Sequence, residues 1–370
     1  MKKLIAMLLA LVMVFALCAC GETAAPATAP AEEAPAEEAA APAEEAAAET
    51  DPADDFYLDI KFSNVFNPKE WNYKASEMLA EMITEKTDGH ITVTYYGTNE
   101  LDCYADSVTQ AVNGANWMGL EEPSLFADYV GDAAMVIAPM LYSTNEEYNY
   151  VMDSDFVKDL CDRLAAENIH ILDTHYSFGF RSVCSNLDVY TPEDLNGHQF
   201  RATSSALFAK TLECLGATPV VMGFTDCLAA IQQGVVEGFE GSVSTLAGAG
   251  EPYELVKKVA LTNHLIATRW LFMPEDVWQT IPEKYQTIIE ECAYECGMWE
   301  QNSCEEDEAV QIKKMAEEDG VTWNDVDLDA FSAAMVPVID WIVDEYGSSY
   351  EAYDQLCALV AEYRAANPAA

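Results

Sequence analysis

Residues 174–186 read THYSFGFRSVCSN, residues 191–202 read TPEDLNGHQFRA, and residues 215–244 read LGATPVVMGFTDCLAAIQQGVVEGFEGSVS. Arg181 and Arg201 fall in this stretch at the ends of predicted short strands. The 370-residue chain carries 18 Lys and Arg against 64 Asp and Glu, and only five of the 18 are arginine. A guanidinium in so acidic a chain needs a specific anionic partner, because its planar fork binds a carboxylate through two parallel hydrogen bonds. The residues alone leave two readings open. Each arginine either meets an anionic ligand or serves structure, Arg181 in a surface salt bridge and Arg201 as a tie between neighbouring strands.

Around this stretch the chain is long enough for two domains, and 51% hydrophobic with 11% aromatic residues is a globular composition. A formal charge of −46 excludes a nucleic-acid binder, since no basic stripe exists to neutralise phosphates, and disfavours an anionic membrane surface. Lys2 and Lys3 before the apolar run Leu4–Leu17 have the form of a secretory signal. That run ends in Leu17-Cys18-Ala19-Cys20-Gly21, which resembles a bacterial lipobox with Cys20 as the lipidated residue. Residues 21–55 are almost all Ala, Glu, Pro and Thr, with eleven acids and no Lys or Arg. Proline and charge repulsion prevent packing there, so the segment reads as a tether with a reach of roughly 30 Å.

From Phe56 the pattern changes. Leu58–Phe62 alternates as a strand, Trp71–Ile83 has helical spacing ended at Gly89, and Ile91–Tyr95 alternates again, a β-α-β unit with right-handed crossover. Asp106–Gly114 predicts a helix, and Met118–Pro123 a strand end and loop, where a solvated surface is the plainer reading of Glu121 and Glu122 and a cleft contact the other. Tyr148–Leu164 predicts one amphipathic helix, Ile169–Asp173 a strand, and Val259–Phe272 two strands with a turn near Thr262-Asn263. Pro282 opens a helix running to about Glu318, and Trp323–Ala370 reads as helical. His170 and His175 lie on opposite faces of any strand, which disfavours a shared metal. Nine cysteines beyond Cys18 and Cys20 form no zinc-like pair and read mostly as small buried residues. Phosphate-loop, H-E-x-x-H and G-x-S-x-G motifs are absent.

Gly179-Phe180-Arg181, the run Thr191–Arg201 and the run Leu215–Glu240 together resemble the solute-binding proteins of TRAP transporters, the tripartite ATP-independent periplasmic transporters of the DctP family. In that family a G-x-R turn precedes TPEDLKG-x-K-x-R and then LGA-x-P followed by G-V-V-D-G-Q-E. The resemblance spans roughly Phe56 to Asn324. It implies an α/β, two-domain periplasmic-binding-protein-like (Venus flytrap) fold with a long helix spanning both domains. After the signal peptide (1–20) and the tether (21–55), the implied domains are 56–178 plus about 267–306, and 179–266 plus about 307–370.

The resemblance further implies that Arg201 pairs with a substrate carboxylate, with Arg181 beside it and Glu122 near the cleft. Three positions depart from the family. Trp117 stands where an aspartate is usual, Phe239 replaces a glutamine and Gly241 an asparagine, which leaves the ligand class open. With Phe178 and Phe180 these residues suggest an aromatic pocket, although a core role is the safer reading of any one ring. The implied protein is an exported lipoprotein on the outer face of the cytoplasmic membrane. It takes a small organic acid to TRAP-type integral membrane subunits, without catalysis, cofactor or metal. A sensory binding protein of the same fold, or an enzyme on a two-domain scaffold, are the rival readings. If Cys20 is the anchor, Cys20→Ser releases the protein from the membrane fraction with ligand binding intact; a variant that still sediments with membranes contradicts the anchor.

Overall fold

The computed structural model describes residues 55–368, so the signal sequence, Cys20 and all but the last residue of the Ala/Glu/Pro segment lie outside the described residues. Strand β1 (Leu58–Ser63), helix α1 (Trp71–Lys86) and strand β2 (Ile91–Tyr96) form a parallel unit, with Leu58 opposite Ile91. Helix α2 (Ala105–Val112) leads to β3 (Trp117–Glu121), parallel to β1 on its other side. Three helices follow, α3 (Asp132–Met135), α4 (Asn145–Met152) and α5 (Asp155–Ala166). The predicted single helix over 148–164 is therefore two. Asp153 ends one and Ser154 caps the next, its side chain accepting from the Val157 N–H.

Strand β4 (Ile169–Ser185) then runs for 17 residues. Beyond it, β5 (Gln199–Ala202), α6 (Ala206–Cys214), β6 (Thr218–Val221), α7 (Phe224–Gln232) and β7 (Gly238–Gly241) build a second parallel set, with β5 between β6 and β7. After α8 (Val243–Leu246) comes β8 (Lys258–Pro274), a second 17-residue strand. The chain closes with α9 (Glu275–Trp278), α10 (Glu283–Glu317), β9 (Thr322–Asn324), α11 (Leu328–Tyr346) and α12 (Tyr350–Ala366). Trp323 thus sits on a short strand paired with β8, and the terminal helices begin only at Leu328.

All of the strands belong to one sheet, in the order β2-β1-β3-β8-β4-β7-β5-β6, with β9 on β8. This is a mixed α/β fold of two lobes, one built on β1–β3 and one on β5–β7, and β4 and β8 cross between them. The sequence reading of two strands over 259–272 is corrected to one. Between Arg181 and Val183 on β4, the partner strand passes from Leu265 to Ala260, so extra residues on β8 loop out without ending it. Asn263, at φ 41°, supplies the bend and its side-chain amide oxygen accepts from the Ser182 hydroxyl at 2.9 Å. The turn signal was real, but pairing with β4 on both sides of it absorbs it.

Helix α10 has 35 residues, about 52 Å at 1.5 Å per residue. Its Tyr285, Ile289, Cys292 and Cys296 pack in the first lobe with β1, β2 and α1, while Met315 packs in the second with Cys227 and Phe239. Gly297 lets it approach β4, because a Cβ there would lie 2.6 Å from the Asp173 carboxylate and 3.1 Å from the Tyr176 ring. On the opposite face of the sheet, α3–α6, α11 and α12 share one core. The nine described cysteines are free, six of them buried.

Glu300, buried in α10, accepts from the Cys304 thiol and is pushed up to about 8 by burial, as is Glu121 at the end of β3. Both keep their protons in the fold while the unfolded chain loses them above about 4.5. Their stabilisation is therefore complete below that value and declines as pH rises toward 8. Thermal melts of the ligand-free protein should fall from pH 5 to 8. Glu300→Gln should flatten the decline and raise the pH 8 melting temperature by about 2 °C or more; a wild-type slope in that variant contradicts the assignment.

Candidate ligand-binding site

Between the lobes lies a cavity of about 330 Å³. The first lobe contributes Phe66, Asn67, Glu70 and Tyr104, the crossing strands Phe178, Arg181 and Arg269, and the second lobe Arg201, Thr203 and the start of α7. Contacts also cross the cleft near the cavity. Thr203 donates to Glu122 at 3.1 Å, Ser124 and Ser205 share a 2.7 Å hydrogen bond, and exposed Lys69 and Glu251 pair at 3.2 Å.

The strand irregularities decide what faces the cavity. β4 carries a register shift between Ser177 and Phe180, and Gly179 has φ 94°, a conformation open to glycine at little cost. In a regular strand Phe178 and Phe180 share a face and Arg181 takes the other. The bulge changes this, so Phe178 and Arg181 both line the cavity. Phe180 instead borders a separate pocket of about 50 Å³ with Gly241, Glu308 and Trp323.

Three of the chain's five arginines meet at this one cavity. Arg181 is neutralised within the protein. It grips Glu240 with Nε on one carboxylate oxygen and Nη2 on the other at 2.7 Å, donates to the Glu240 carbonyl at 2.9 Å, and lies over the Phe208 ring. His264 stands 3.8 Å from the same carboxylate and stays neutral, since burial lowers it to about 4.

Arg201 differs. Only 3% exposed, it donates from Nε to the Met222 carbonyl at 2.9 Å and lies over the Phe224 ring at 5.4 Å. Among the described residues no carboxylate comes within ion-pair distance of it, and its two terminal amino groups have no acceptor. Burial lowers its pKa, but an arginine stays cationic.

Arg269 was not singled out from the sequence. Its guanidinium lies 5.4 Å from the Phe66 ring and 5.3 Å from the Phe178 ring. Nη1 donates to the Thr268 carbonyl, Nε is buried without a partner, and the nearest carboxylate oxygen, of Glu122, is 3.9 Å away. The rarity of arginine that marked Arg181 and Arg201 applied equally to Arg269.

The other residues singled out have different surroundings. Glu121 and Glu122 are buried, not in a solvated loop; Glu122 lies behind the cavity on Thr203 and Arg269, while Glu121 accepts the Tyr104 N–H at 2.6 Å. Tyr104, at φ 58°, is thereby held at the cavity wall. Trp117 is buried outside the cavity lining, donating to Ser107 at 3.0 Å. Phe239 is buried edge-on behind Phe224, and its ring would lie 3.0 Å from a Cβ at Gly241. These two departures from the motif therefore sit against each other, outside the cavity lining. His170 and His175 engage different carboxylates, Glu275 and Asp173.

The profile of the DctP family, the bacterial extracellular solute-binding proteins of family 7, matches residues 62–345. The chain belongs to this family. Its relatives include a TRAP periplasmic solute-binding protein from Desulfovibrio salexigens, solved with diglycerolphosphate. The two are 34% identical with a TM-score of 0.81, over 84% of this chain and 99% of that one. One from Fusobacterium nucleatum, with sn-glycerol-3-phosphate, is 29% identical at a TM-score of 0.80 over 84% and 99%. One from Actinobacillus succinogenes, with L-galactonate, is 27% identical at 0.77 over 82% and 100%. The DctP fold accounts for the long α10 and for the two crossing strands. No helix among the described residues is long and apolar enough to cross a membrane.

The two arginines should separate in stability. Arg181→Ala strands the buried Glu240 carboxylate and should cost about 3–5 kcal/mol, whereas Arg201→Ala strands no charge and should leave the ligand-free melting temperature within a few degrees. Thermal melts of both variants decide it; equal losses would show Arg201 to be a structural tie.

Proposed function

We propose that this protein is the extracytoplasmic binding subunit of a TRAP transporter. It captures a small organic acid between its lobes, through the anionic group of that acid, and delivers it to integral membrane subunits. The observation that carries this reading is Arg201, a buried guanidinium at the cavity with no carboxylate within ion-pair distance among the described residues. A buried charge without a partner is costly, and an anionic ligand would satisfy it. The carboxylate implied by the sequence resemblance fits such a site. The relatives support the wider class, since diglycerolphosphate, sn-glycerol-3-phosphate and L-galactonate are all anions bearing hydroxyl groups. Delivery requires that ligand favour the closed arrangement, because equal affinity for open and closed forms shifts nothing. Lipid attachment at Cys20 would hold the protein at the membrane where the transporter sits.

A thermal-shift screen over hydroxylated carboxylates and phosphate esters tests the reading. A true ligand at a hundredfold its dissociation constant should stabilise by about 2.7 kcal/mol. Arg201→Ala should weaken that ligand at least about thirtyfold by calorimetry, and Arg201→Lys should recover part of the loss, since a point charge cannot copy the fork. Normal binding by Arg201→Ala, or no stabilisation by any anion, overturns the proposal.

A further inference from the structure

A monocarboxylate carries one charge, and one guanidinium fork is enough to receive it. This cavity offers more. Arg181 is cancelled by Glu240, but Arg201 and Arg269 both reach the cavity with no carboxylate in hydrogen-bonding contact among the described residues. Each is more than nine-tenths buried, and the Nε of Arg269 is unpartnered.

A third source of positive potential adds to these two. Helix α7 begins at the cavity with Phe224, after Gly223 as an N-cap that has no side chain to serve the helix end. The backbone N–H groups of Phe224 and Thr225 have no acceptor among the described residues, and Arg201 lies over the Phe224 ring beside them. Free amides at a helix start bind anions well, above all those with several oxygens.

The acids that face this cluster make no hydrogen bond to Arg201 or Arg269 among the described residues. Glu70 lines the cavity on the first-lobe side, where it accepts the Asn67 N–H at 3.0 Å, and burial pushes it up to about 7. Glu122 accepts from Thr203 and faces Arg269 at 3.9 Å, and burial raises its pKa. Asp226 sits at the exposed rim.

We infer that the acid group of the ligand is a phosphate monoester of a small polyol, with the phosphoryl oxygens received by Arg201, Arg269 and the first amides of α7. This rests on the anion-capture reading and narrows it. A monoester is close to a dianion at neutral pH, with three free oxygens for the donors. A carboxylate has two oxygens and one charge, and a phosphodiester has one charge. Asn67, Asn99 and Tyr104 line the cavity wall and can serve the polyol hydroxyls. The cavity volume suits a small molecule.

Calorimetry of the purified protein at pH 7.5 with three probes tests this: sn-glycerol 3-phosphate, glycerophosphoglycerol and D-glycerate. The monoester should bind at least about tenfold tighter than either of the others. Arg269→Gln should weaken the monoester at least about tenfold and D-glycerate by less than about threefold. Equal or tighter binding of D-glycerate overturns the phosphate assignment and leaves anion capture standing, and tighter binding of the diester overturns the dianion argument. Equal losses for both ligands in Arg269→Gln remove Arg269 from the selectivity. If none of the three binds and the wider screen finds an anion, the monoester is wrong; if no anion binds at all, the anion-capture reading fails with it.

Discussion

The antiparallel pairing of β4 with β8 is the constraint on which the rest of this structure depends. Two 17-residue strands run side by side and join the parallel set β2-β1-β3 of one lobe to the parallel set β7-β5-β6 of the other in a single sheet. A perfectly regular pair would present alternating faces and could not aim Phe178 and Arg181 at one cavity. Register shifts along the ladder break the alternation where the strands pass between the lobes. The same ladder carries Arg269 to the cavity from the other strand. Helix α10 lies along β4 and packs in both lobe cores, so the crossing is braced over its length.

A chain with a charge of −46 repels anions at a distance, yet its cleft concentrates cations. The two facts are compatible because surface charge is screened over about 8 Å at physiological ionic strength, whereas buried groups act with little screening. What matters inside is which charges are already paired. Arg181 and Glu240 form a closed unit at the wall of the cavity, whereas Arg201 and Arg269 make no hydrogen bond to a carboxylate among the described residues. Burial also favours the protonated forms of Glu70 and Glu121, which limits the negative charge set against the arginines. Members of this family bind solutes, and the cavity fits that role.

Much of the fold was legible in the sequence because it is locally encoded. Leu58–Ser63, Trp71–Lys86 and Ile91–Tyr96 follow their periodicities almost to the residue, and Pro282 marks the start of the long helix. The motif around Gly179 and Arg201 pointed to the family whose profile the chain matches. Scarcity of arginine in an acidic chain drew attention to Arg181 and Arg201, both of which line the cavity, and was not carried through to Arg269, which lines it too.

Tertiary structure alone decided three things. It made β8 one strand, because β4 pairs with it on both sides of the bend at Asn263, which local turn propensity cannot anticipate. It sorted the aromatic residues, sending Phe178 to the cavity and Phe180, Phe239 and Trp117 elsewhere, since a bulge reverses a two-residue alternation that sequence spacing takes for granted. It also separated Arg181 from Arg201. The partner of Arg181 is Glu240, 59 residues away, and only the folded sheet shows that this carboxylate meets Arg181 while Arg201 has none within ion-pair distance among the described residues.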